Sequence, residues 1–202
     1  MRTRLQIIAI SAVALIGFPA KSPGDTAYRI STSLIYADVA GRRIRIDKLM
    51  ALGSENRSTI VVLHGAGGTL LDGPDMRRMA RSLAVAGNTV YVVHYFDRTG
   101  TIFGLDAGMQ KNFEVWLETI RSSIRRVQAD RGDAAPVGIY GYSLGAFLAL
   151  VAASDNSAVG AVIEQAGGIW NNNAERIHHM PPVLILHGER DQRVLLEKYA
   201  RP

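Results

Sequence analysis

The sequence contains no cysteine. Disulfide bonds, cysteine-ligated metal sites, a cysteine nucleophile and a thiol-linked lipid are therefore excluded. It also lacks an apolar run long enough to cross a membrane, because residues 5–18 form a run of 14 and a spanning helix needs about 20. Internal repeats and low-complexity tracts are absent too, and 202 residues suit one domain with a single core.

The first twenty or so residues have the pattern of a secretory signal peptide. Arg2 and Arg4 give a positive start, residues 5–18 are apolar, and PAKSPGD is a turn-rich exit. An uncleaved anchor is the alternative, since no clean A-x-A cleavage site follows the run. We expect residues 1–22 to be a signal peptide of a secreted or periplasmic protein that has no stable membrane insertion after cleavage.

Charge gives little support for a nucleic-acid partner. The formal net charge is +5, but the basic residues are spread over several segments, as the Arg42–Arg43 pair and the arginines at 121, 125 and 126 illustrate. Dispersed basic residues are typical of a solvated surface, whereas nucleic-acid binding needs a continuous basic patch. We expect no nucleic-acid partner.

Strand and helix patterns alternate along the chain. Residues 31–41 and 42–53 predict an antiparallel hairpin that turns at Gly41. Short apolar runs follow, and they predict strands buried on both faces of a parallel sheet; they lie at 58–65, 88–96, 135–141, 158–165 and 181–188. Amphipathic or apolar helices are predicted between them, at 75–87, 109–132 and 144–155.

This order of elements predicts an α/β fold. Right-handed crossovers between parallel strands give a doubly wound, mostly parallel sheet with helices on both faces. Ligands of such sheets bind at the carboxyl ends of the strands. Residues that follow a strand directly are therefore the candidates for function.

The motif GYSLG at 141–145 follows the apolar strand PVGIY and precedes the helix LGAFLALVAA. At such a strand-to-helix turn a serine adopts a strained conformation and projects its hydroxyl above the sheet. The helix also directs its free N–H groups toward the same point, which favours a developing anion. Ser143 is the candidate nucleophile.

Three strand-end motifs resemble those of a known family. LHGAGG at 63–68, GYSLG at 141–145 and LHGERD at 186–191 occur in the order found in the α/β-hydrolase superfamily, and the match is closest to its dienelactone-hydrolase-like branch. The resemblance covers residues 28–202. Members of that branch can use a cysteine nucleophile, whereas this chain has serine, which moves the expectation from dienelactones toward esters in general.

The resemblance implies a role for each motif. It makes Ser143 the nucleophile and Asp191 the acid of a catalytic triad, and it places an oxyanion hole at the backbone N–H groups of Leu144 and of Ala66 or Gly67. From the residues alone, HGAGG is also compatible with a plain tight turn, and Asp191 with a cap of the following helix.

A triad needs a histidine base, which the family order places after the acid. No histidine follows Asp191 in the 11 residues that remain. We expect the last strand and the helix that carries this histidine to be missing, so that the chain is truncated, impaired in catalysis and left with the exposed apolar edge PVLIL.

Five histidines lie upstream of the acid. His64 and His187 precede glycines and are expected to shape loops, while His178 and His179 are expected at the surface, at the opposite end of the sheet. His94 is the best substitute for the base. With Tyr95, Arg98 and Trp170, it is also a candidate pocket residue.

Together these patterns predict a serine hydrolase that cleaves small-molecule carboxylic esters through an acyl-enzyme, without a metal or an organic cofactor. A peptidase or an acyltransferase on the same fold is one alternative, because the triad does not determine the acyl acceptor. A hydrolase-like protein that binds a ligand without catalysis is the other.

Overall fold

The computed structural model describes residues 30–52 and 58–200. The predicted signal peptide, residues 1–22, lies outside the described residues. Within residues 30–52 and 58–200 no helix combines the length and the apolar character needed to span a membrane.

Seven strands form one sheet in the order β1-β2-β4-β3-β5-β6-β7. Their bounds are β1 Ile30–Val39, β2 Arg42–Ala51, β3 Thr59–Leu63, β4 Thr89–Val93, β5 Val137–Tyr142, β6 Val159–Gln165 and β7 Val183–Leu186. β1 and β2 form the predicted antiparallel hairpin, and β2 pairs antiparallel to β4. The remaining pairs are parallel, so the predicted mostly parallel sheet is confirmed.

Five α-helices connect or flank the strands: α1 Gly68–Leu71, α2 Gly73–Val85, α3 Asp106–Arg131, α4 Leu144–Ala153 and α5 Leu196–Tyr199. Two short 3-10 helices span Tyr95–Arg98 and Asn171–Arg176. Helix α3 begins three residues before the predicted start at Met109, and its first-turn acid Asp106 suits the positive end of the helix dipole. It ends as expected at Gly132, which has a φ of 77°.

Helices cover both faces of the sheet. The residues of α2 at Met76, Ala80 and Ala84 pack on one face, and those of α3 and α4 pack on the other. Alternate residues of the central strands belong to the two cores, as Val61 and Val62 of β3 do. This burial on both faces explains why these strands appear in the sequence as unbroken apolar runs.

Strand β7 is not buried on both faces, and it forms the exposed apolar edge that was also expected. It lies at the edge of the sheet beside β6, and its Leu184 and Leu186 side chains are 40% and 44% exposed. The apolar run at 181–188 therefore contains an edge strand that is only partly covered, and not a strand buried on both faces.

Candidate active site

Ser143 lies between the end of β5 and the start of α4. Its φ of 51° and ψ of −120° are strained for a residue with a Cβ, as expected for the serine of a sharp strand-to-helix turn. Its backbone N–H donates to the Gln165 carbonyl oxygen at 2.9 Å, which ties the turn to the end of β6. The side chain is partly exposed.

The glycines of the motif allow α4 to cross the sheet closely. A Cβ at Gly145 would lie 2.5 Å from the His64 carbonyl oxygen and 2.6 Å from that of Leu63. A Cβ at Gly141 would lie 2.5 Å from the Gly145 carbonyl oxygen. Because these neighbours are backbone atoms, only glycine fits at either position.

Helix α4 directs its N-terminus toward Ser143. All ten of its residues are buried, and Leu144 as the first of them has no intrahelical acceptor for its N–H group. A buried helix N-terminus is well suited to hold negative charge. The predicted oxyanion donor at Leu144 therefore lies directly beside the serine.

The HGAGG loop lies beside the serine as well. A Cβ at Gly65 would lie 3.1 Å both from the Cβ of Ser143 and from Cδ1 of Tyr142. The Gly67 N–H, one of the two predicted oxyanion donors in this loop, donates to Asp72 Oδ2 at 3.0 Å. The Ala66 carbonyl accepts a hydrogen bond of 2.6 Å from the Gly104 N–H.

Asp72 is a site residue that the sequence analysis missed. It links α1 to α2, and its side chain turns to Gly67 instead of capping α2. Burial raises the pKa of the Asp72 carboxyl, although hydrogen bonds from the Gly67 and Gly65 backbone oppose the shift. An acid a few residues before a helix is ordinarily a cap. No sequence signal distinguishes the role that the fold gives it.

The carboxylate of Asp191, the predicted acid of the triad, hydrogen-bonds the backbone of the turn that follows it. Oδ1 accepts hydrogen bonds of 2.9 Å from the N–H groups of Arg193 and Val194. The Val194 hydrogen bond is the main cause of a lowered pKa of the Asp191 carboxyl. Oδ2 lies 3.9 Å from His187 Nε2, which is beyond hydrogen-bond distance.

A buried carboxylate and a buried imidazole lie side by side at the ends of β6 and β7, and the sequence did not predict this pair. The side chains of Glu164 and His187 are 0% and 1% exposed, and Glu164 Oε1 lies 4.0 Å from His187 Nδ1. Glu164 Oε1 accepts from the Gly167 N–H, and His187 Nε2 donates to the Val194 carbonyl at 2.7 Å.

The remaining atoms of this pair, His187 Nδ1 and Glu164 Oε2, have no hydrogen-bond partner among the described residues. Burial raises the pKa of the Glu164 carboxyl, because the charged form loses its hydration. The pair also lies close to the serine turn, since a Cβ at Gly167 would lie 3.1 Å from the Ser143 carbonyl oxygen. Only the fold reveals this pair, because its members are far apart in sequence.

Two other histidines are engaged away from the serine hydroxyl. The His64 ring stacks on Tyr95 at 4.2 Å, and burial lowers its pKa to about 4. His94 Nε2 hydrogen-bonds Asp47 Oδ2 at 2.9 Å on the far side of β3, since β4 and β5 are not neighbours.

His178 and His179 lie beside the carboxyl end of α4, away from its N-terminus at Ser143. The His178 N–H donates to Ser154 Oγ at 2.9 Å, and the His179 carbonyl accepts from the Asp155 N–H at 3.1 Å. No histidine ring in the described part of the chain hydrogen-bonds Ser143 or Asp191. Within the part of the chain that the structure describes, the HGAGG loop therefore lies beside the serine, but no histidine ring lies within hydrogen-bond distance of it.

The other candidate pocket residues occupy different surroundings. Tyr95 is fully buried, and its hydroxyl donates to the His64 carbonyl at 2.7 Å, so it supports the HGAGG loop from within the core and offers no surface to a substrate. Trp170 is partly buried against Phe113 and Phe147, with ring centroids 5.2 and 4.9 Å away. Arg98 is the last residue of the 3-10 helix that follows β4; it is partly buried, and the described residues offer its Nε no acceptor.

The described residues offer no ready metal site. Residues 30–52 and 58–200 contain no group of three or more histidine, aspartate or glutamate side chains that could hold a metal ion. The arrangement places a partly exposed serine between the N-terminus of α4 and the HGAGG loop.

Solved structures that share this fold include hydrolases. A dienelactone-hydrolase-like promiscuous phosphotriesterase from metagenomic libraries is 20% identical, with a TM-score of 0.69 over 84% of this chain and 73% of its own. A serine hydrolase without a lid from Xanthomonas campestris is 18% identical, with a TM-score of 0.63 over 86% and 78%. A cold-adapted esterase from an Arctic intertidal metagenomic library is 14% identical, with a TM-score of 0.66 over 87% and 81%.

At these identities the likeness shows the α/β-hydrolase fold alone. No curated protein sequence gives a significant match. The model of the dienelactone hydrolase family, in contrast, matches residues 47–200, which is well over half of the chain. This match extends from β2 to α5 and includes all three strand-end motifs, so the protein is a hydrolase that belongs to the dienelactone hydrolase family.

Proposed function

We propose that this hydrolase cleaves small-molecule carboxylic esters through an acyl-enzyme on Ser143. The observation that carries the proposal is the strained conformation of Ser143 at the buried N-terminus of α4, with Gly65 packed against its Cβ. A hydroxyl in this position can attack a carbonyl carbon while N–H groups from two loops hold the oxygen.

Leu144 is the first proposed oxyanion donor, and Ala66 is the second. The Gly67 N–H is occupied by Asp72, whereas the hydrogen bonds between described residues include none from the Ala66 N–H. As the tetrahedral intermediate forms, its oxygen would accept from both groups. Collapse of that intermediate expels the alcohol and leaves the acyl group on Ser143 Oγ, and water then releases the acid.

This mechanism also requires a histidine base. Asp191 would orient a histidine and stabilise its charged form. No histidine ring of the described residues hydrogen-bonds Asp191, and His187 Nε2, 3.9 Å from Asp191 Oδ2, donates to the Val194 carbonyl. We therefore propose that the 202-residue chain acylates and deacylates slowly. A peptidase or acyltransferase would need the same nucleophile, whereas a ligand-binding protein without catalysis would not need a reactive serine.

A fluorophosphonate probe and p-nitrophenyl acetate test the proposal together. The full chain is treated with the probe, and the modified residue is located by peptide mass spectrometry. We expect the adduct on Ser143 and a slow release of p-nitrophenol that Ser143→Ala abolishes. The matched control is Ser82→Ala, an exposed serine of α2, which should change neither result.

Labelling that is absent from Ser143, or turnover that is unchanged in Ser143→Ala, would overturn the proposal. An unreactive Ser143 combined with tight binding of an ester analogue would instead favour the ligand-binding alternative.

A further inference from the structure

Exposed apolar side chains are concentrated on two short segments, α1 and the loop that precedes α3. The described residues include twelve large exposed apolar side chains, and five of them are found here. We call this set the apolar rim; its members are Leu70, Leu71, Ile102, Phe103 and Leu105. Each is between 53% and 69% exposed. Single exposed apolar residues are ordinary, but such a concentration beside a candidate site marks a binding surface.

The two segments of the rim adjoin each other. The Gly104 N–H donates to the Ala66 carbonyl at 2.6 Å, and the Ile102 carbonyl packs so closely on Gly68 that a Cβ would not fit there. Gly68 has a φ of 61°, which favours glycine and allows this approach. The loop before α3 is therefore fixed to the HGAGG loop.

The rim is also continuous with the serine. Leu71 lies three residues after the HGAGG loop, and its Cβ is 2.9 Å from the position that a Cβ at Gly67 would take. At the other end of the same loop, Gly65 packs against the Cβ of Ser143. The HGAGG loop thus packs against Ser143 at its Gly65 end and leads to the exposed leucines of α1 at its other end.

One carboxylate lies near the reacting end of this surface: the position of a Cβ on Gly65 is 2.7 Å from Asp72 Oδ2 and 3.1 Å from the Cβ of Ser143. Burial and the charges of Asp72 and Asp191 raise the pKa of the Tyr142 hydroxyl, the residue before Ser143. The negative charge of Asp72 beside the serine repels an anionic group that approaches it. An uncharged molecule with an apolar part suits both ends of the surface.

We infer that the apolar rim binds the hydrocarbon chain of the substrate, so that the preferred substrates are uncharged esters with an aliphatic chain. This inference rests on the proposed ester hydrolysis. A fully buried methylene strengthens binding about fourfold, and a methylene covered on one side by an open rim should give about twofold.

Methyl ketones test the inference without requiring catalysis, because they carry the carbonyl group and the chain but no leaving group. The dissociation constants of 2-hexanone, 2-octanone and 2-decanone are measured by calorimetry on the full chain. Over these four methylenes we expect binding to tighten about fifteenfold. The double variant Leu70→Ser, Leu71→Ser should reduce this gain to about fourfold or less.

The matched control is the double variant Leu34→Ser, Leu52→Ser. These leucines are 55% and 53% exposed and lie on the hairpin, at the other edge of the sheet from β7. The control should keep the full dependence on chain length. Thermal unfolding followed by circular dichroism verifies that both variants are folded.

Equal loss of the dependence in both variants, or full retention in the rim variant, would overturn the inference. The inference would also be overturned if ketone binding did not depend on chain length and light scattering showed a dimer that only the rim variant loses. A second copy of the chain would then cover the rim. Fluorophosphonate labelling of Ser143 tests the proposed function separately. A labelled serine without a chain-length effect overturns only the inference.

Discussion

Asp72 has the most direct influence on the chemistry proposed for Ser143. Its carboxylate accepts the Gly67 N–H in the loop that would hold the oxyanion, and its Oδ2 lies 2.7 Å from the position of a Cβ on Gly65. A negative charge in this position opposes the negative charge that develops on the substrate oxygen. Because burial raises the pKa of Asp72 above the ordinary 3.8, the charge is lost at a higher pH than for an exposed aspartate.

Asp72→Asn should increase the rate at which a neutral fluorophosphonate labels Ser143. The substitution keeps the shape and an acceptor for Gly67 but removes the charge. Like-charge repulsion of about 1.4 kcal/mol, which is moderate for a partly exposed pair, corresponds to a factor of about ten. We expect this factor at pH 8, and we expect it to disappear as the pH falls and wild-type Asp72 becomes protonated.

Asp75→Asn is the matched control, because Asp75 lies three residues further on and is exposed beside Arg78. It should change the labelling rate by less than about twofold, as a screened surface charge does. A slower rate for Asp72→Asn at every pH would contradict the prediction and would show that the carboxylate assists the serine.

Individual residues differ in how far the sequence identified them. Ser143 was placed correctly in its turn because the GYSLG motif and its strand and helix are adjacent in the chain. Asp72 was missed because an acid before a helix has a common local role. Tyr95 and Trp170 were predicted as pocket residues because they follow strands. The fold instead buries Tyr95 in the core and packs Trp170 against it.

At the scale of elements, the crossing of α4 over β3 holds the site together. The helix is apolar on every side and packs against β5 and β6 as well as β3. Its start is positioned by Gly145, whose missing side chain leaves room for the backbone of Leu63 and His64.

Gly145→Ala should destabilise the fold by about 3 kcal/mol or more, because the new Cβ would meet two backbone carbonyls that cannot move independently of the sheet. Urea unfolding followed by circular dichroism measures the loss. We also expect Ser143 labelling to fall, since α4 must shift away from β3.

Gly108→Ala provides the opposite case in α3. A Cβ at Gly108 would have no neighbour within 4 Å, and alanine favours the helix. The free energy of unfolding should increase by about 0.5–1 kcal/mol. Equal destabilisation by both substitutions would contradict the close-contact argument.

The elements themselves were largely predictable. The hairpin, the strands and the three longer helices lie where periodicity and capping residues placed them, within about three residues. The apolar composition of β7 alone predicted burial on both faces, whereas the edge position expected for it predicted the exposure that the structure shows.

At the scale of the whole molecule, the buried pair of Glu164 and His187 couples stability to pH. Because burial raises the pKa of Glu164, the unfolded chain releases this proton at a lower pH than the folded protein does. The contribution of Glu164 to stability is therefore fully present below its ordinary pKa of 4.5, and it is lost as the pH rises through the raised pKa of the folded protein. Asp191, 3.9 Å from His187, lies next to the pair.

Glu164→Gln should remove this loss, because glutamine keeps an acceptor for the Gly167 N–H and carries no charge. We expect its melting temperature to exceed that of the wild type by at least about 2 °C at pH 8, the shift for about 1 kcal/mol in a domain of this size. The two should converge near pH 4.

Glu189→Gln, an exposed residue of the loop after β7, should follow the wild type at every pH. A Glu164→Gln variant that melts lower than the wild type at pH 8 and at pH 4 would show that the carboxyl contributes a contact that glutamine cannot make.

The sequence by itself determined the alternation of strands and helices, the position of the serine turn and the family resemblance, because each depends on residues that are neighbours in the chain. Only the tertiary structure decided which polar groups meet across that turn. The contacts of Asp72 with the HGAGG loop, of Glu164 with His187, and of the apolar rim with the serine loop join separate elements. They depend on how helices and loops pack at the carboxyl edge of the sheet, which local patterns do not specify.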